Sequence, residues 1–163
     1  MKYDEYIQYG DLLHAEQFQR LHDKCKKVSY FASILAKTEF GSTLTTSSIF
    51  RKKTNDSGIH EAYRAIDFVP LKSISDTYRL LQMINSLYIY DSRVYDTPSI
   101  FSDEELKRRL KLRVADENPY HGTGFHIHLQ VHNNTCVMTK SQELVIVAQA
   151  HKDKMVFTPK SLA

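Results

Sequence analysis

The chain has 163 residues, 42% of them hydrophobic and 25% charged, with a formal net charge of +3. This length suits one domain with a real core and is short for two, and the mixing of 22 basic with 19 acidic side chains excludes a nucleic-acid-binding signature. No apolar run reaches membrane-spanning length, and the two cysteines, Cys25 and Cys136, stand in no metal-binding spacing and read as buried free thiols.

The polar opening, Met1 to Glu5, has no apolar stretch behind it, so we expect cytoplasmic synthesis without a signal peptide. Phe18, Leu21, Cys25, Val28, Ala32 and Leu35 then recur at steps of three and four, which predicts an amphipathic helix from about His14 to Lys37. Lys24, Lys26 and Lys27 are expected on its solvated face. Gly41 breaks the pattern, and the β-branched stretch Thr43 to Phe50 predicts a strand. Arg51 to Gly58 is polar and turn-forming. Arg64 to Val69 predicts a short strand ended by Pro70, and Ser75 or Asp76 is expected to cap a helix carrying Tyr78, Leu81, Ile84 and Leu87.

Tyr88 to Ile100 reads as a loop. Ser102-Asp103-Glu104-Glu105 matches a capping box and opens a further helix, with Leu106 and Leu110 inward and a basic end from Lys107 to Arg113. Asn118 to Gly124 is a tight loop feeding a strand in which Phe125, Ile127, Leu129 and Val131 alternate with His126, His128 and Gln130. More strands are expected at 135–139, 143–148 and 154–158, with Asn133-Asn134 turning the first hairpin. The sum is a single α+β domain over 1–163, with N-terminal helices packed on a small, mostly antiparallel sheet.

One face of the 125–131 strand is apolar, while the other presents two neighbouring histidines. His60 and Asp67 lie seven positions apart upstream, and strand alternation makes Asp67 share a face with Ala65 and oppose Ile66 and Phe68. Neutral imidazoles plus a carboxylate suit zinc. His14 and His22 on the first helix and His151 in a polar turn read as structural. His132, four residues beyond His128, would sit roughly 13 Å away along a straight strand, too far to share an ion.

His60-x6-Asp67 followed by His126-x-His128 resembles the zinc peptidase superfamily of lysostaphin-like enzymes, D-alanyl-D-alanine peptidases and the hedgehog signalling domain. Ser48-Ile49-Phe50-Arg51 is similar to the Ser-x-aromatic-Arg segment of the D-alanyl-D-alanine peptidase branch. Ala65-Ile66-Asp67-Phe68 and Gly124 to Val131 resemble that branch's two ligand strands, so the likeness runs from about Thr43 to Val131. It implies His60, Asp67 and His128 as ligands of Zn2+, His126 as general base or stabiliser of the tetrahedral intermediate, and Arg51 as the clamp on a substrate carbonyl or carboxylate. It implies a monomeric peptidase acting on the peptidoglycan stem or crosslink peptide, of the compact phage endolysin type that reaches the cell wall after a separate protein permeabilises the membrane.

Two positions depart from that pattern. Tyr63 stands where the family usually has glycine, and Phe125 stands where many members have a glutamate base. The base role therefore falls to His126 or His121, with Asp116 and Glu117 as weaker candidates. Two other classes follow from the same residues: a hedgehog-like zinc-bearing binding module without turnover, and, third, a non-haem iron oxygenase with two histidines and a carboxylate.

Overall fold

Eight elements follow in chain order among residues 6–52, 59–88, 114–117 and 124–131, which a computed structural model describes. They are β1 (Ile7–Tyr9), α1 (His14–Arg20), α2 (Asp23–Phe40), β2 (Leu44–Ser48), β3 (Ala65–Phe68), α3 (Ile74–Leu87), β4 (Ala115–Glu117) and β5 (Ile127–Gln130). The strands form one sheet in the order β1-β2-β3-β5-β4. Only the β1–β2 pair is parallel; the other three pairings are antiparallel. The α+β architecture is as expected. The capping box at Ser102 with its helix, His121, and the strands after residue 132 lie outside the described residues.

The long helix expected from His14 is instead two. Leu21 and His22 leave helical geometry, with ψ of 147° and 139°. The His22 backbone N–H donates to the Tyr63 carbonyl at 2.8 Å, and its ring Nδ1 accepts from Lys24 N–H at 3.2 Å, capping α2. A tertiary contact and a local cap thus override a continuous apolar stripe. At its far end α2 runs to Phe40 and stops at Gly41 (φ +63°), where Gly41 and Ser42 satisfy the Lys37 and Ala36 carbonyls.

Every residue from Val28 to Ala36 is buried, so the middle of α2 is covered on all sides rather than along one stripe. Of the two serines in this stretch, Ser33 satisfies its hydroxyl by donating back to the Ser29 carbonyl at 2.8 Å. Tyr30, Phe31, Ile34 and Leu35 are fully buried in the core, where α2 contacts both α3 and the sheet. Full burial of each such side chain contributes about 1.5–3 kcal/mol. The partner helix α3 is capped by Ser73, not by Ser75 or Asp76: Ser73 Oγ accepts from Asp76 N–H at 3.2 Å, which puts the acidic Asp76 in the first turn.

The sheet turns one apolar face to these helices. Ile66 stands opposite Leu129 and Phe68 opposite Ile127, all four buried. The intervening pairs, Ala65–Gln130 and Asp67–His128, therefore occupy the other face. Phe125 lies before β5 and is only half-buried, meeting Tyr78 edge-on at 6.4 Å between ring centroids. The edge strands β1 and β4 have three residues each. Gly10, just after β1, approaches β2 so closely that a Cβ there would clash with the Thr46 carbonyl.

Candidate metal centre

Register places the chemistry. Asp67 on β3 pairs with His128 on β5, and His128 pairs in turn with Asp116 on β4. On the other side, β2 carries an irregularity between Thr46 and Ser48 that brings Ser48 opposite Asp67. Such a bulge re-aims the residues after it. It also ends β2 earlier than the expected Phe50, and the Ile49 carbonyl is instead taken by a histidine ring.

That ring is His60. It sits in the turn before β3, closed by Tyr63 N–H to the His60 carbonyl and Arg64 N–H to the Ile59 carbonyl, both 3.1 Å. Its Nδ1 lies 2.8 Å from the Ile49 carbonyl oxygen, which can only accept, so Nδ1 carries the proton. The lone pair is then on Nε2. This atom is buried, has no hydrogen-bond partner, and lies 3.4 Å from Asp67 Oδ1.

Asp67 is buried and surrounded by bases. His128 Nδ1 is 2.8 Å from Oδ1, Arg51 Nη1 is 3.4 Å from Oδ2, and His126 Nε2 is 3.8 Å from Oδ2. Burial alone would raise the Asp67 pKa, but the hydrogen bond and charge of His128 lead the causes that outweigh it and hold the carboxyl well below the usual range. Burial works to lower the His128 pKa. The Asp67 carboxylate outweighs it, helped by Gln130, so the net shift is upward.

His60, Asp67 and His128 form a group whose donor atoms all lie within 4.8 Å of one another, close enough to hold a metal ion. Two donors on one tetrahedral zinc, each at about 2.0–2.1 Å, are about 3.3 Å apart. The 3.4 Å between His60 Nε2 and Asp67 Oδ1 matches that spacing. The 2.8 Å Asp67–His128 contact is a hydrogen bond, the interaction a metal ion would replace. An unpartnered, buried ring nitrogen beside a carboxylate is otherwise costly, and a cation answers it.

His126 and Arg51 stand at the edge of this group. His126 Nδ1 donates to the Gly124 carbonyl at 2.8 Å, which leaves its Nε2 lone pair on the side of Asp67. Arg51 is half-exposed and reaches Asp67 and the Ser48 hydroxyl, both at 3.4 Å. Asp116 is exposed on the same sheet face, while Glu117 pairs with Ile127 and so faces the other way.

The groups that orient the site's histidines were not anticipated. They are the Ile49 and Gly124 carbonyls and the Gln130 side chain, whose Oε1 lies 2.9 Å from His128 Nε2. Backbone carbonyls leave no mark in composition, but Gln130 did leave one. It shares the strand face of His128 two residues on. Comparisons of the chain with family models, with curated proteins and with solved structures find no match.

Proposed function

We propose that this chain is a zinc-dependent peptidase that hydrolyses D-amino-acid-containing bonds in the peptidoglycan stem or crosslink peptide. The observation that carries the metal step is the orphaned Nε2 of His60, buried against Asp67 and within reach of His128. The peptide class rests on the resemblance carried by His60-x6-Asp67, His126-x-His128 and the Ser48-to-Arg51 segment. Three protein donors are the number that catalytic zinc sites use, whereas structural zinc sites take four.

Zinc, when bound by His60, Asp67 and His128, supplies a Lewis acid and a water of pKa about 7. The chain's own groups do the rest. His126, with its Nδ1 proton committed to Gly124, offers Nε2 to take a proton from the attacking water and return it to the leaving amine. Arg51 presents a planar donor fork at the half-exposed rim, suited to a substrate carbonyl or terminal carboxylate. Action at the cell wall would follow release by a membrane-permeabilising partner.

The test starts with elemental mass spectrometry of untagged protein beside His128→Ala and Asp67→Ala, followed by digestion of purified peptidoglycan. We expect about one zinc per chain in the wild type, lost in both variants, and new peptide termini only with the wild type. A folded wild type that takes up no zinc when supplied with it would sink the reading. A second reading, a zinc-bearing binding module, is favoured by Phe125, which packs on Tyr78 where many relatives in the resembled superfamily hold a glutamate base. Full zinc occupancy with no peptide release would select it.

A further inference from the structure

The two histidines of the metal group are held in opposite senses. His60 gives its Nδ1 proton to a backbone carbonyl and turns Nε2 to the site, while His128 turns Nδ1 to the site and meets Gln130 with Nε2. Gln130 Oε1 can only accept, so the 2.9 Å contact is a hydrogen bond only when His128 Nε2 carries a proton. With both contacts made, each ring nitrogen carries a proton; a metal ion would replace the Nδ1 proton that faces Asp67 and leave the Nε2 proton on Gln130.

We propose that Gln130 is a positioning residue for the metal centre: it fixes the ring orientation and the proton of His128 so that Nδ1 is the ligand atom. This inference rests on the metal reading of the site. The register supports it, because Gln130 pairs with Ala65 on β3, whose small side chain leaves the face beside Asp67 open to the longer amide. His60 is oriented by main chain, which no substitution removes. His128 is oriented by a side chain, so the site's affinity for metal is adjustable at residue 130. A carboxylate there would accept the same proton more strongly, in the manner of the carboxylate–histidine–zinc arrangement.

The experiment is zinc affinity by competition with a chromogenic chelator at fixed pH, for the wild type, Gln130→Leu and Gln130→Glu, with folding followed by circular dichroism. Nitrogen-15 spectra of the zinc-loaded proteins report which His128 nitrogen is protonated. We expect Gln130→Leu to bind zinc about 10–100-fold more weakly and to lose the single Nε2–H signature, and Gln130→Glu to bind at least as tightly as the wild type. Equal affinity and an unchanged ring signature in Gln130→Leu would overturn the proposal while leaving the metal site standing. If Gln130→Leu fails to fold, Gln130→Glu decides: weaker binding than the wild type overturns the role. A folded wild type that binds no zinc overturns the metal reading and this inference together, an outcome distinct from the first.

Discussion

Tyr63 stands at φ +56°, in the left-handed region that costs a non-glycine residue about 1–2 kcal/mol. Its ring stacks on Phe50 at 4.9 Å, and its carbonyl accepts from His22. The turn that delivers His60 thus uses a glycine-like backbone held by an aromatic contact. Substitution should invert the usual order of alanine over glycine. Both lose the stack, but Tyr63→Ala keeps the backbone cost, so it should be about 1 kcal/mol less stable than Tyr63→Gly in urea unfolding. Alanine equal to or above glycine would show that the turn is not strained. His14 gives a second test at this scale. Its Nδ1 lies 2.7 Å from the Thr46 hydroxyl, which also accepts from Gly10 N–H, and burial lowers its pKa from the ordinary 6.5 against the pull of Asp11. Below 6.5 the unfolded chain therefore holds more protons than the folded one, and acid favours unfolding until the folded value is passed. From about pH 7.5 to about pH 5.5 the wild type should lose more thermal stability than His14→Gln. Parallel losses would remove His14 from the account.

Among the elements, β4 shows how a three-residue edge strand is made. The Asn85 amide on α3 donates to the Ala115 carbonyl at 2.8 Å and accepts from its N–H at 3.0 Å, doing on the outer edge what a neighbouring strand would do. Asn85→Ala should cost about 1–3 kcal/mol and speed hydrogen exchange at the Ala115 amide. An unchanged exchange rate would show that the β5 ladder alone holds β4. This also explains which elements could be read beforehand. The α3 stripe and the strands around Asp67 and His128 carry their own periodicity, whereas β1 and β4 exist through Gly10, Thr46 and Asn85, contacts that no local pattern encodes. The break at His22 is of the same kind, since its cause is the carbonyl of Tyr63 forty-one residues away. Asp67 was legible because a carboxylate in an apolar strand needs a reason, as were the paired histidines. The carbonyls that set their ring protons were not, because any residue supplies one.

At the scale of the whole molecule, the sheet divides labour by face. Ile66, Phe68, Ile127 and Leu129 build the core with α2 and α3, while Asp67 and His128 meet on the other side. No helix among the described residues is long and apolar enough to cross a membrane. His60 and Asp67 precede α3 in the chain and His128 follows it, 61 residues beyond Asp67. An ion shared by the three would therefore be a removable staple across that loop, stabilising the folded chain because it binds that state and not the unfolded one. The described cysteine, Cys25, is buried and unpaired, its thiol pKa pushed up to about 12 by burial, so it offers no covalent substitute. Metal supply would then set how firmly the segments before and after α3 are tied together.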